Sequence, residues 1–330
     1  MNYLSAAPDL SRLPHDVGLD PDDPASAFEL LLQGCREGLD GALLTIVKIE
    51  GGAPRSLGTH MAVLSDGRYC GYVSGGCVES AVASEAIAVM AGGRDKVLRF
   101  GRNSPFFDIT LPCGGGIDVH VHVRPAIDLL EAAAANVRAR RPFDIVFDID
   151  AGIVMPVASG ATPSAGFLRR YRPATRLLAI GQGNELAVLA QVARGAGIET
   201  TAFATGPGAL AAAARVGTKV EDVPDGNLDV VIDRWTAVVF LFHEHRSEVP
   251  LLATALRSDG FYIGALGSRR THAERVARLS AAGLAPEQIA RIHAPIGMIE
   301  RTREGTPLAF SILADITRER MQMDAAEVSA

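Results

Sequence analysis

From Arg176 onward, short apolar runs alternate with helix-spaced runs, and this order constrains the fold more than any other feature of the chain. RLLAIG (176–181) is a short strand, followed by a helix over Asn184–Arg194. The pattern repeats as a strand at Glu199–Phe203 with a helix at Ala209–Arg215, then a strand at Ala237–Phe242 with a helix at Ser247–Arg257. A strand at Phe261–Ala265 and a helix at Thr271–Ala282 follow, and Pro307–Arg318 reads as a closing helix. Consecutive βα units imply a parallel sheet with helices on both faces. Residues 176–330 are therefore expected to form a Rossmann-like, doubly wound C-terminal domain.

The first half has a different grammar. Residues 1–25 carry Pro and Asp without periodicity and read as an extended arm. Ala27–Glu37 has helix spacing, with Ser26 as a candidate N-cap. Ala42–Ile49 is a buried-strand candidate, and Ser65-Asp66-Gly67 is a hairpin signal between Met61–Leu64 and Arg68–Val73. A helix at Glu79–Met90, strands at Lys96–Phe100 and Ile117–Val123, and a helix at Ile127–Ala139 complete a mixed α/β N-terminal domain over 26–140. Residues 141–175 are short strand-like runs broken by Pro, Gly and Ser, read as a connector with a hairpin in it.

Charge and composition exclude several classes. A net charge of −6 without a dense Lys/Arg run argues against nucleic acid as a partner. No stretch of ~18 uninterrupted apolar residues exists to span a membrane. The first residues, MNYLSAAPDLSRLPHDVGLD, lack a basic and apolar leader, so the expected location is the cytoplasm. Four cysteines in 330 residues are too few for a disulfide scaffold, and none forms C-x-x-C.

Several clusters carry possible chemistry. GYVSGGCVES (71–80) sets Cys77 after Gly75-Gly76 and before a predicted helix start at Glu79. A helix N-terminus favours a thiolate, Glu79 opposes it, and a buried inert thiol is the plain alternative. LPCGGGIDV (111–119) sets Cys113 before Gly114. GGAPRSLG (51–58) offers Arg55 in a glycine-lined loop, suited to a phosphate or polar heterocycle, or simply a turn with an exposed arginine. GQG (181–183) opens a helix after a strand, as in nucleotide loops, but Leu186 stands where the third glycine would, and no acid follows Phe203. HEHR (243–246) lies past a strand's carboxyl end, where ligands or helix caps occur. Gly267-Ser268-Arg269 suits a phosphate or an N-cap. His293 stands alone in the apolar HAPIG.

Taken together and in order, these motifs resemble the XdhC/CoxI family, accessory factors of molybdenum hydroxylases such as xanthine dehydrogenase. The family's G-S-x-P-R-x-x-G-x-x-M matches at Gly51, Pro54, Arg55, Gly58 and Met61. Its G-G-G-C-x-E matches at Gly75, Gly76, Cys77 and Glu79, with Ser74 for the first glycine. Its C-G-G matches at Cys113, Gly114 and Gly115. In the second half the matches are Gly181 and Gly183, His243-Glu244 for His-Asp, Gly267-Ser268-Arg269, His293-x-Pro295-Ile296-Gly297, and Ser311-Ile312-x-Ala314-Asp315. Pro307-Leu308-Ala309 departs from the family's acidic pair.

The resemblance implies a chaperone that holds the molybdenum cofactor, as molybdopterin or its cytosine dinucleotide, during sulfuration and inserts it into an apo-hydroxylase. It implies a molybdenum hydroxylase and a cysteine desulfurase as partners, and a homodimer is compatible with it. Cofactor contacts would come from Arg55, Gly75, Gly76, Cys77, Glu79, Cys113 and Gly114. Further contacts would come from Gly181, Gly183, His243, Glu244, Gly267, Ser268, Arg269 and His293. Cys77 and Cys113 supply soft sulfurs suited to molybdenum. Two other readings stay open: an NAD(P)-dependent oxidoreductase using the Rossmann-like domain, and a cysteine-dependent molybdopterin-modifying enzyme.

Overall fold

The computed structural model describes residues 18–76, 78–105, 111, 114–158, 160, 166–204, 210–212, 220–222, 230–242, 248–299 and 304–329. Two compact units divide at Pro173–Ala174.

In the first unit, α1 (Ser26–Arg36) precedes β1 (Gly41–Glu50), β2 (His60–Leu64) and β3 (Tyr69–Gly71). Then come α2 (Glu79–Gly92), β4 (Lys96–Gly101), β5 (Gly116–Val123) and α3 (Ile127–Arg138). The five strands form an antiparallel sheet in the order β3-β2-β1-β5-β4. Strand β1 is buried on both faces, and its alternation decides what each face meets. Ala42, Leu44 and Ile46 pack with α2 residues Val82, Ala83 and Ala86. Leu43 faces the other way, with Phe28 and Leu31 of α1 and Leu130 of α3.

Ser26 is the first helical residue rather than the cap. The carboxylate that serves this helix start is Asp23, whose Oδ1 accepts from Ala25 N at 2.9 Å.

The stretch expected as a connector contains β6 (Phe143–Asp148), β7 (Ile153–Val157) and β8 (Phe167–Tyr171), a three-stranded antiparallel sheet in the order β7-β6-β8. The β6–β7 pairing is the hairpin. Phe143, Ile145 and Phe147 enter the same core as α1 and α3. Burial of that alternating face is what makes these residues a sheet rather than a tether. Pro156 sits on the edge strand β7, where a missing N–H costs no ladder bond.

The second unit holds β9 (Arg176–Gly181), α4 (Gly183–Gly195), β10 (Glu199–Ala204), β11 (Val220–Asp222), β12 (Thr236–Leu241), α5 (Glu248–Leu256) and β13 (Tyr262–Ala265). It ends with α6 (Arg269–Ala281), α7 (Pro286–Ile289), β14 (Ile292–His293) and α8 (Gly305–Ser329). Six parallel strands run in the order β11-β10-β9-β12-β13-β14, the strand order of a Rossmann sheet. Ala179, Val239 and Tyr262 face α4 and α8. Ile180, Val238 and Phe240 face α5 and α6. Leu186 is buried in the first of these layers with Leu308 and Ile312 of α8. A leucine in place of the fingerprint glycine thus joins α4 to the C-terminal helix. The expected helix at Ala209–Arg215 lies mostly outside the described residues. Among the described residues no helix is long and apolar enough to cross a membrane.

Candidate functional site

The pairings of the five-stranded sheet fix the direction of every strand. The ends of β1, β3 and β4 and the starts of β2 and β5 all fall on one edge. Three loops leave from that edge: 51–59, 72–78 and 102–115. They carry Arg55, the SGGC cluster and the CGGG cluster. Cys77 and Cys113 themselves lie outside the described residues, but their flanks are described.

The 72–78 loop is organised by its own acid. Glu79 is 2% exposed. Its Oε1 accepts from Val73 N at 3.0 Å, Ser74 N at 2.7 Å and Ser74 Oγ at 2.9 Å, and its Oε2 from Val78 N at 3.2 Å. These bonds hold the residues on both sides of Gly75, Gly76 and Cys77. Gly75 and Gly76 sit at φ +85° and +107°, with open space where a Cβ would be. The first role of Glu79 is therefore to shape the loop.

The 51–59 and 102–115 loops touch through glycine. A Cβ on Gly115 would lie 1.9 Å from Gly52 O, so only glycine allows this approach. Gly114, at φ +67°, has nothing within 4 Å of its Cβ position. Arg55 lies over the Tyr72 ring at 5.4 Å, and its Nη2 donates to Asp22 Oδ1 at 2.9 Å.

Two adjoining clefts share Pro21, Gly71 and Tyr72. One is bounded by Arg55, Gly58, His60, Arg169 and Tyr171. The other reaches Gly76, Glu79 and Ser80. The arginine end and the flank of Cys77 thus lie along neighbouring hollows of one unit. His60 floors the first cleft. Its Nδ1 bonds Thr45 Oγ1 at 2.9 Å, and its Nε2 bonds the Tyr171 hydroxyl. Burial, aided by the charge of Arg169, pushes the His60 pKa down to about 3, so its ring is neutral at pH 7. Cys70, at the second cleft, is buried and its thiol is pushed up to about 11, which makes it inert.

In the second unit, Gly181, Gly183, Gly267, Ser268, Arg269 and His293 all lie at or just past the carboxyl edge of the parallel sheet. Gly181 passes β12 closely: a Cβ there would be 2.2 Å from Leu241 O. Gln182 N donates to that same oxygen at 2.9 Å. Ser268 caps α6, its Oγ accepting from Thr271 N at 3.2 Å, and Arg269 is exposed. His243 and Glu244 lie outside the described residues. His293 stacks on Tyr262 at 4.4 Å. Tyr262 in turn donates to Asp315 Oδ2 at 2.7 Å, and burial raises the pKa of that phenol further. His293, Asp315 and Glu319 offer ligand atoms within 4.8 Å of one another. Arg318 Nη2 already bonds Asp315 Oδ1 at 2.6 Å and Glu319 Oε1 at 3.0 Å, so the cation at this group is a guanidinium.

His60, Tyr72, Arg169 and Tyr171 line the first cleft without standing out in the sequence. The signal for Tyr72 was its place between Gly71 and the SGGC cluster. Arg169 and Tyr171 had none, because their position depends on a sheet formed by residues 143–171.

The fold and its loops define a two-unit α/β protein, with glycine-rich loops on one sheet edge and a Rossmann unit after them. The chain belongs to the XdhC/CoxI family. The profile described as the XdhC and CoxI family matches residues 35–101, and that of the XdhC Rossmann domain matches residues 177–316. The chain is 35% identical over 306 residues to the molybdenum cofactor insertion chaperone PaoD of Escherichia coli strain K12, covering 92% of this chain and 91% of that protein. A Bacillus halodurans crystal structure, described as a xanthine dehydrogenase, shares the fold with a TM-score of 0.65 at 20% identity. That likeness covers 90% of this chain and 96% of the other.

Proposed function

We propose that this protein binds the molybdenum cofactor as cargo, holds it for sulfuration and inserts it into a molybdenum hydroxylase of the xanthine dehydrogenase type. The likeness to PaoD over nine-tenths of both chains supports the insertion role. The observation that carries the site is the gathering of the Arg55, SGGC and CGGG loops on one sheet edge. Arg55 and the backbone N–H groups near Gly75 and Gly76 would hold the phosphate or the pterin. Cys77 and Cys113, next to described glycines, would offer soft sulfur to molybdenum. The glycines leave room for a planar group against the backbone.

Glu79 keeps the 72–78 loop in shape beside the cargo. A cysteine desulfurase is the partner that would supply sulfur to the held cargo. The second unit's turns at Gly181–Gly183 and Gly267–Ser268 would take a nucleotide phosphate, since helix N-termini at a sheet's carboxyl edge suit an anion.

Cofactor retention tests this reading. Protein mixed with molybdenum cofactor is passed through gel filtration, and molybdenum and pterin are measured in the protein peak. The wild type is expected to carry both, and Cys77→Ala and Cys113→Ala to carry less. Equal retention by both variants removes the cysteines from the site.

A further inference from the structure

We propose that Arg55 and Arg169 form a two-armed clamp for a phosphate group, and that Asp22 occupies the Arg55 arm until that group displaces it. The inference rests on the reading above only in assigning the phosphate to the cargo. The clamp itself is tested without molybdenum.

Both arginines line the same cleft. Arg169 comes from β8, part of the sheet formed by residues 143–171. Its Nε is buried and has no hydrogen-bond partner. Its guanidinium stands 5.2 Å above the Tyr171 ring. No carboxylate among the described residues pairs with it, although its positive charge is felt by His60 and Tyr171. A half-buried guanidinium with no anion among the described residues is costly to keep, and a planar fork of this kind matches phosphate oxygens.

Gly58 lets the 51–59 loop pack closely against the Arg169 stem. A Cβ there would fall 2.5 Å from Arg169 Cδ, and the backbone sits at φ +78°. His60 is neutral at pH 7, and both of its ring nitrogens are engaged by Thr45 and Tyr171. It therefore adds no charge that would compete with the arginines.

Arg55 presents the opposite case. It has a carboxylate, but one supplied by the chain's own arm. Asp22 Oδ1 is 2.9 Å from Arg55 Nη2, and the two side chains are 66% and 32% exposed. An ion pair this exposed contributes little, so an anion of higher charge replaces it readily. The residues around Asp22 are anchored. Asp23 is fixed by Arg138 and by Ala25 N, and Leu19 packs on the core. Asp22 is thus held at the place where an incoming anion would meet Arg55. Tyr72, under the Arg55 guanidinium, offers a ring face beside that position. The ligand class is a phosphate monoester carried on a flat heterocycle.

The test uses the full chain and isothermal titration with inorganic phosphate, then with a phosphorylated pterin and its dephosphorylated form. Four proteins are compared: wild type, Asp22→Asn, Arg169→Gln and Arg169→Lys, each checked by thermal denaturation. Removing the competitor in Asp22→Asn is expected to raise phosphate affinity about threefold. Arg169→Gln is expected to lower it about tenfold, with Arg169→Lys in between. The phosphorylated pterin is expected to bind more tightly than its dephosphorylated form. Opposite signs at Asp22 and Arg169 are not produced by a merely structural role.

Unchanged phosphate binding in folded Arg169→Gln overturns the clamp. So does equal or weaker binding in Asp22→Asn, equal affinity for the two pterins, or no phosphate binding by the wild type. If the predicted pattern appears but the wild type fails to retain molybdenum cofactor, the clamp stands and the cargo reading falls.

Discussion

Glu79 and His60 show how single side chains set the local structure of this unit. Glu79 accepts from three backbone or hydroxyl donors through Oε1 and from Val78 N through Oε2. Replacing it by Ala leaves buried donors without partners, at roughly 1–3 kcal/mol for each group that water cannot reach. Glu79→Ala is expected to lose about 3 kcal/mol in urea denaturation. A loss below about 1 kcal/mol would show that the loop is held by something else.

His60 sets a pH limit. Its pKa in the folded chain, about 3, lies below its ordinary value of 6.5. Between these values the unfolded chain binds a proton that the folded chain refuses. Stability therefore falls as pH drops below 6.5, by at most about 1.4 kcal/mol per pH unit from this group. Denaturation curves from pH 7 to pH 4.5 should be flatter in His60→Gln than in wild type. Parallel curves would remove His60 as the cause.

At the scale of elements, the glycine contacts between loops matter most. Gly115 closes on Gly52 so tightly that an added methyl must push backbone against backbone. Gly115→Ala is expected to cost about 2 kcal/mol by overpacking and to disturb the Arg55 loop. Urea denaturation measures the first effect and phosphate titration the second. Unchanged stability would mean that the loops do not depend on this contact.

The elements also explain what could be read in advance. Parallel βα units announce themselves locally, because strand, turn and helix follow one another in a few residues. The four central strands β9, β10, β12 and β13 were legible for that reason, whereas the short outer strands β11 and β14 were not. Residues 143–171 were not, since a sheet of short strands with Pro156 and Gly166 gains its order only by burying Phe143, Ile145 and Phe147. Arg169 and Tyr171 were invisible with it. Helix α8 runs to Ser329, beyond the expected end at Arg318. Its last turns are tied by Arg320–Asp324 and Arg234–Glu327 ion pairs. Arg55, Gly75, Gly76 and Gly114 could be picked out because glycine next to chemistry-bearing residues is informative by itself. That their loops share an edge required the strand directions.

At the scale of the whole molecule, each unit has its own sheets and its own cores. Residues 174–330 contain a complete six-stranded sheet covered on both faces, so that segment expressed alone should unfold in one cooperative urea transition. A segment without such a transition would contradict the division at Pro173.

On the proposed reading, the glycine-loop edge of the first unit carries a molybdenum-pterin cargo. Molybdenum and pterin co-eluting with the full chain test it most directly. Both are expected to travel with the wild-type protein, and Cys77→Ala is expected to lower the retained molybdenum about tenfold while the protein stays folded. Wild-type protein that emerges free of molybdenum and pterin, or a folded Cys77→Ala, Cys113→Ala double variant that retains as much as wild type, would contradict it.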